Sequence, residues 1–173
     1  MFVSLLWLVP AHAEPSAGPA VLTVTGSISK PNRSAADEFA DVFFSSHDVD
    51  FEKAAAFDLK ALEALGMKTV RASYEDWPKT FTFEGPLLSD VLKAAGATGE
   101  TLIVRALDGY APELPMADTE KYPVILALKV DGEYLGLGDR GPSWVIYPRD
   151  DYPELAKEDD SKFVWSVYHI EVK

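Results

Sequence analysis

Two glycine-containing loops carry the side chains of this sequence that are best suited to chemistry. The first, residues 105–110, reads RALDGY, and the second, residues 138–144, reads GDRGPSW. They contain two carboxylates, two guanidinium groups and two aromatic rings, which are Asp108, Asp139, Arg105, Arg140, Tyr110 and Trp144. An aromatic ring can stack on a flat heterocycle, while a carboxylate accepts hydrogen bonds from its N–H groups and an arginine donates to its oxygens or nitrogens. The loops therefore indicate a site for such a ring. The alternative is a surface ion pair between Asp139 and Arg140, with Tyr110 and Trp144 in the core.

No pattern typical of catalysis or metal binding accompanies these loops. His47, Asp48, Asp50 and Glu52 form a carboxylate-rich group, but it lacks the glycine and the terminal glutamate of a calcium-binding loop. We expect it to be a solvated acidic loop. No serine stands in a G-x-S-x-G motif, and the Gly-Leu-Gly at residues 136–138 precedes no predicted helix, as a phosphate-binding loop would.

The composition narrows the class of protein further. The 173 residues include 28 Asp and Glu against 16 Lys and Arg, which gives a net charge of -12, and 47% of the residues are hydrophobic. This length and hydrophobic fraction suit one globular domain. The acidic balance argues against a nucleic-acid partner or an anionic membrane surface. Because the chain has no cysteine, disulfides, zinc–thiolate sites, iron–sulfur clusters and thiol catalysis are excluded.

The first residues resemble an export signal. Residues 1–13 read MFVSLLWLVPAHA, an apolar run that ends in the small-x-small pattern Ala-His-Ala and is too short to span a bilayer. We expect this segment to be a signal peptide, followed by a Pro- and Gly-containing leader at residues 14–20 and a single domain at residues 21–173. The alternative for residues 1–13 is a buried N-terminal strand.

The elements that must position the two loops follow from periodicity and turn residues. Helices are predicted at residues 57–65, where Asp58 is placed to cap the helix, and at residues 87–95. Strands are predicted at 21–26, 68–73, 79–83, 100–107, 122–130, 134–137, 143–147 and 162–172. The run at 122–130 is almost continuously apolar, which predicts a central strand, and Asp131-Gly132 predicts a hairpin turn after it. Residues 31–50 have no clean period, and Ser34 is a candidate helix start. The prediction is a β-rich α+β domain with short helices packed on a mixed sheet.

The order of several segments resembles a known family. These segments are VLTVTG, FDLKALEAL, FTFEGPLLSDVLKAAGA, ALDGYAPELPMAD, YPVILALKVDGEYL, GDRGPSWVIYP and VWSVYHIEV. Their succession is similar to that of the sulfite-oxidase-fold (molybdopterin oxidoreductase) family, over nearly the whole chain after the leader. The resemblance implies a mixed α+β domain that holds a pterin in a cleft formed by loops at one end of a sheet.

One departure from the family affects the expected function. In the enzymes of the family a cysteine thiolate ligates molybdenum, and the order of segments places that loop at residues 71–74, which read RASY here. The chain is more similar to a small, exported, cysteine-free branch. Its members resemble periplasmic proteins that bind a reduced, unphosphorylated pterin and signal to the periplasmic domain of a membrane-bound cyclic-di-GMP enzyme.

This resemblance implies a non-enzymatic pterin-binding protein without molybdenum. The alternative is a molybdopterin-dependent oxidoreductase or its accessory subunit. Asp108 or Asp139 would pair with the 2-amino and N3–H edge of the pterin and Arg140 with its carbonyl edge. Tyr110, Trp144 or Trp77 would stack on the ring.

Overall fold

The structure is a computed structural model that describes residues 18–173. The expected signal peptide and the first four residues of the expected leader lie outside the described residues. No helix in the described range is long and apolar enough to cross a bilayer.

Strands and short helices alternate along the described chain. The strands are β1 (Leu22–Gly26), β2 (Arg33–Ser34), β3 (Lys53–Phe57), β4 (Met67–Ala72), β5 (Phe81–Pro86), β6 (Thr101–Ala106), β7 (Glu113–Pro115), β8 (Ile125–Ala127), β9 (Lys129–Val130), β10 (Glu133–Tyr134), β11 (Trp144–Ile146) and β12 (Val167–Val172). The helices are α1 (Val42–Ser46), α2 (Leu59–Ala64), α3 (Leu88–Ala95) and α4 (Met116–Lys121). Short 3₁₀ turns follow at Arg149–Asp151 and Leu155–Lys157.

The strands form three sheets. The largest has the order β2-β3-β1-β12-β6-β7, and its β1–β12 pair is parallel while the other neighbours are antiparallel. The second sheet has the order β10-β9-β5-β4, and β11 pairs with β8 in a third. This mixed arrangement with short helices is an α+β domain, as the sequence predicts.

The two helices predicted from apolar spacing are present, and their ends follow from local chemistry. Asp58 caps α2, since its carboxylate accepts from the backbone N–H of Ala61 at 2.7 Å. The helix α3 buries the apolar side chains that its period places on one face, which are Leu88, Val91, Leu92 and Ala95. Gly96 ends α3 in the left-handed conformation, at φ 68°.

The predicted hairpin turn joins β9 to β10. Asp131 and Gly132 both have positive φ, 49° and 87°, as a tight two-residue hairpin turn requires. The Asp131 carboxylate accepts from the backbone N–H of Thr82 at 3.0 Å and pairs with Lys79 at 2.6 Å. These contacts fix the hairpin against β5.

The prediction of one central strand at residues 122–130 is wrong. The segment divides into β8 and β9, which belong to different sheets, and Leu128 between them donates from its backbone N–H to the Glu84 carbonyl at 2.8 Å. The run is buried because it passes between sheets, and continuous apolarity does not distinguish that position from a central strand. Gly85 of β5 lies so close to this segment that a Cβ placed on it would be 2.0 Å from the carbonyl oxygen of Leu126.

Other boundaries also differ from the prediction. Ser34 does not start a helix; it lies in β2, and the helix of this region is α1. The strand predicted at 162–172 begins only at β12, because Ser166 before it has φ 52°. The strand predicted at 134–137 is limited to β10. The sequence did not predict β3, β7 or α4.

Candidate functional site

An aromatic cleft lies beside the four-stranded sheet, between the β4–β5 connection, the β9–β10 hairpin and the start of β11. We call it the tryptophan cleft, and its volume is about 570 Å³. Its apolar lining consists of Trp77, Pro78, Phe81, Val130, Leu135 and Trp144. A cleft of this size and lining suits a small organic ligand with a flat ring.

The two tryptophans of the cleft are held by different means. The indole of Trp144 is 5% exposed and its Nε1–H donates to the Phe163 carbonyl at 3.0 Å. Trp77 comes from the β4–β5 connection, where its backbone N–H donates to the Tyr74 carbonyl at 2.9 Å. The ring centroids of Trp77 and Trp144 are 5.4 Å apart, at an interplanar angle of 59°. The half-buried Trp77 therefore offers the accessible ring face, and the buried Trp144 packs behind it.

The polar lining of the tryptophan cleft is mostly acidic. It consists of Asp76, Glu133, Tyr134, Asp139 and Arg140. The expected alternative of an Asp139–Arg140 ion pair is not found: within residues 18–173 neither side chain belongs to an ion pair. Three carboxylates and one guanidinium group are thus available to a ligand at the rim of an aromatic cleft.

A smaller hollow adjoins the tryptophan cleft. It has a volume of about 180 Å³ and shares Trp77, Arg140 and Trp144 with the cleft. The guanidinium carbon of Arg140 lies 4.7 Å from the ring centroid of Trp144 and 5.9 Å from that of Trp165. Tyr110 lines this hollow, and its hydroxyl donates to the Ser161 carbonyl at 3.0 Å. Arg140 therefore lies between two indoles, at the boundary of two neighbouring spaces.

Five of the seven residues selected from the sequence lie in these two adjoining spaces: Trp77, Tyr110, Asp139, Arg140 and Trp144. The other two, Arg105 and Asp108, line neither. The Asp108 carboxylate accepts from the backbone N–H of Tyr110 at 3.0 Å and so closes its own turn. Arg105 lies on the six-stranded sheet, where it pairs with Glu171 at 2.9 Å.

Arg105 contributes instead to the surroundings of a buried histidine. His169 is 0% exposed, its Nε2 lies 2.8 Å from Thr25 Oγ1, and its Nδ1 lies 3.4 Å from an Arg105 nitrogen. Since the guanidinium group can only donate, Nδ1 must accept, and the neutral ring then donates from Nε2 to Thr25. Burial, together with the positive charge of Arg105, lowers the pKa of His169 to about 3.

Sequence reasoning missed several residues of the cleft, among them Asp76, Phe81 and Glu133. Asp76 directly precedes Trp77, and Glu133 directly follows the predicted hairpin turn. Their positions in sequence were visible, but their convergence depends on the antiparallel pairing of β5 with β9, in which Phe83 is opposite Val130. Strand pairing brings these distant residues to one site.

The residues present do not fit the molybdenum cofactor that the resemblance implies for the enzymes of the family. The chain has no thiolate, and Ser73, in the stretch where the cysteine is expected, donates from its hydroxyl to Asp150 at 2.9 Å. The cleft offers one cation against three carboxylates, which disfavours a phosphate group. Across residues 18–173 no group of three or more His, Asp or Glu side chains is arranged to hold a metal ion.

The comparisons with known proteins concern the fold alone. No protein-family model matches the chain, and no curated protein matches it. Among solved structures, the chain is similar to the sulfane dehydrogenase SoxCD from Paracoccus pantotrophus, with a TM-score of 0.60 and 16% sequence identity. The match covers 87% of this chain and 37% of that chain, so this chain spans well under half the length of its structural neighbour. The likeness supports a distant sulfite-oxidase-like fold of the molybdopterin oxidoreductase kind.

Proposed function

We propose that this chain is a non-enzymatic binding protein for a pterin and that the tryptophan cleft holds the ring. The observation that carries the proposal is an accessible indole face on Trp77, backed by the buried Trp144, together with three carboxylates that form no ion pair in the described chain and one guanidinium group, in a space of about 570 Å³. A pterin has a flat ring, an amino and N–H edge and a carbonyl edge. Stacking and charge-assisted hydrogen bonds can therefore recognise all of its features at once.

Each side of the ring has a partner in this proposal. Asp139, which has no ion-pair partner in the described chain, accepts from the 2-amino and N3–H groups, and Arg140 donates to the carbonyl oxygen. Trp77 supplies the stacking face, because Trp144 is 5% exposed and already carries Arg140 on its ring. Asp76 and Glu133 add negative charge, which favours an unphosphorylated pterin over a phosphorylated one. The reduced state of the pterin rests on the sequence resemblance.

The biological setting is part of the same proposal. The chain is exported to the periplasm and relays the state of its pterin to the periplasmic domain of a membrane-bound enzyme that controls cyclic-di-GMP. The resemblance of the ordered segments supports this setting, and the chain's acidic charge and lack of cysteine are compatible with it.

Substitutions in the cleft should separate ligand contacts from fold. Asp139→Asn removes the charge from the proposed contact and should weaken binding of a tetrahydropterin by about 10- to 100-fold, the effect of losing about 1.5–3 kcal/mol. Trp77→Leu removes the stacking face and should weaken it by about tenfold. Isothermal titration calorimetry of the purified protein measures both affinities without relying on tryptophan fluorescence.

The matched control is Asp108→Asn, because Asp108 is also a loop carboxylate but lines neither space of the site. Its affinity should equal that of the unchanged protein. If titration of the unchanged protein gives no saturable heat, the ligand assignment is contradicted. If Asp108→Asn weakens binding more than Asp139→Asn does, the contact lies in the loop at residues 105–110 and the assignment to Asp139 is wrong. Stoichiometric molybdenum in protein purified from its native compartment would replace the binding function with the oxidoreductase alternative.

The relay has a cellular readout. A strain that carries Asp139→Asn at the chromosomal locus should show the cyclic-di-GMP level of a strain that lacks the protein, because its protein cannot report the ligand. An Asp108→Asn strain should retain the normal level. Extraction and mass spectrometry of the nucleotide measure both, with immunoblots to establish equal amounts of protein. A normal level in the Asp139→Asn strain contradicts the relay even where ligand binding is established.

A further inference from the structure

The segment around α1 exposes large apolar side chains to an unusual degree. Phe39 is 93% exposed, Val42 63% and Phe43 41%. Single exposed apolar residues are ordinary, but three within five positions concentrate apolar surface in one short segment. We call Phe39, Val42 and Phe43 the α1 patch.

Contacts behind the patch fix its outward orientation. On the inner side of α1, Phe44 packs edge-on against Phe51 with ring centroids 5.4 Å apart and also contacts Tyr168 at 5.5 Å. Arg33 and Asp41 form an ion pair at the start of the helix. The patch therefore cannot turn inward without removing Phe44 from its contacts.

The charges around the patch indicate what can cover it. Residues 34–52 contain six carboxylates, at positions 37, 38, 41, 48, 50 and 52, and no Lys or Arg. An acidic groove of about 620 Å³ lies beside α1, with Val49 and Phe51 among its lining residues and Glu38 and Glu52 at its exposed edge. Apolar side chains bordered by carboxylates are complementary to a surface that is both apolar and basic.

A second copy of the chain does not meet this requirement. Its net charge is -12, and pairing two α1 patches would bring two sets of carboxylates together. Such like-charge contacts disfavour association. The same charges oppose an anionic lipid surface.

We propose that the α1 patch is the docking surface for a partner protein, and that the partner supplies an apolar segment flanked by Lys or Arg side chains. This inference rests on the proposed relay to a partner and names the chemistry of that partner. The apolar side chains of the partner cover Phe39 and Val42, while its basic side chains face the acidic groove. The patch is separate from the tryptophan cleft: none of its three residues lines the cleft or the adjoining hollow.

The probe is a fluorescein-labelled peptide of about 14 residues with leucine along one face of a helix and lysine along the opposite face. Fluorescence anisotropy should show saturable binding that weakens as salt is raised. A peptide with glutamate in place of lysine, and one with serine in place of leucine, should each bind at least about tenfold more weakly. The full chain is used throughout.

Matched variants distinguish the patch from the general acidity of the protein. The double substitution Phe39→Ser and Val42→Ser should weaken binding of the basic apolar peptide by at least about tenfold. Leu137→Ser, at another exposed apolar residue (76% exposed), should not change it. Glu38→Gln with Glu52→Gln should weaken it by about threefold and flatten its salt dependence, whereas Glu120→Gln should not.

Three results would overturn the docking inference. The first is that the Phe39→Ser/Val42→Ser protein binds the basic apolar peptide as tightly as the unchanged protein does. The second is that the unchanged protein binds the acidic apolar peptide as tightly as the basic one. The third is a dimer in light scattering that the same double substitution dissolves, since the occupant is then a second copy. Calorimetric titration of each variant with a tetrahydropterin keeps the two proposals apart. If the unchanged protein binds the pterin but not the basic apolar peptide, only the docking surface is contradicted. If the unchanged protein does not bind the pterin, the proposed function is contradicted.

Discussion

Replacing Gly85 with alanine is expected to lower the free energy of unfolding by about 3 kcal/mol or more, which is a large fraction of the total stability of a typical domain. The added Cβ would lie 2.0 Å from the carbonyl oxygen of Leu126 and 2.6 Å from its carbonyl carbon. Both atoms belong to the backbone, so no side-chain rotation can relieve the contact. The β5 and β8 strands would have to move apart, and the core between the sheets would open with them.

The control for this substitution is Gly136→Ala. The atom nearest to a Cβ at that position is Asp139 Oδ2, at 3.2 Å, the end of a side chain that can move. Its effect should stay below about 1 kcal/mol. Urea denaturation followed by circular dichroism measures both proteins, and the soluble yield serves as the readout if Gly85→Ala is too unstable to titrate. Equal midpoints for the two variants would contradict the close approach of β5 and β8.

Acid is expected to destabilise the protein through His169, with a loss of stability that begins above the range in which carboxylates titrate. The folded state holds the imidazole neutral, with a pKa of about 3, while an unfolded chain binds a proton near the ordinary value of 6.5. The unfolded state therefore binds more protons between these two values. The stabilisation is complete above pH 6.5 and is lost as the pH falls towards 3, at up to about 1.4 kcal/mol for each pH unit.

The variant that isolates this effect is His169→Gln. A glutamine amide can accept from Arg105 and donate to Thr25, as the neutral imidazole does, but it does not titrate. Urea unfolding at pH 7.0, 6.0 and 5.0 should show a steep loss of stability in the unchanged protein and a much shallower loss in His169→Gln. His47→Gln serves as the control, because its ring lies half-buried at the surface, and it should retain the steep loss. A steep loss in His169→Gln would assign the acid sensitivity to other groups.

The sequence predicted elements well where local chemistry decides them. The helix α3 has a full apolar face and a glycine end, and the β9–β10 turn needs two residues with positive φ, which Asp131-Gly132 supplies. Residues 122–130 could not be assigned in the same way. An apolar run indicates that a segment is buried, but which sheets lie on either side of it depends on residues that are distant in sequence.

The same reasoning applies to the candidate site. Asp139, Arg140 and Trp144 are neighbours in sequence, and they are also neighbours in the tryptophan cleft. The sequence groups Arg105 with Asp108 and Tyr110, because it precedes them by a few positions. It still belongs to β6, however, and the pairing of β6 with β12 places it beside Glu171 and His169. The contacts of a strand residue depend on which strand pairs with its own, and no local pattern gives that pairing.

The position of β12 affects how fast the domain can fold. In the six-stranded sheet, β12 lies between β1 and β6, so without it the sheet is two separate parts, β2-β3-β1 and β6-β7. The strand pairs Thr23 of β1 with His169 and Val104 of β6 with Ile170. Closure of the largest sheet therefore requires contacts between segments that are far apart in sequence, and contacts of this kind favour slow folding.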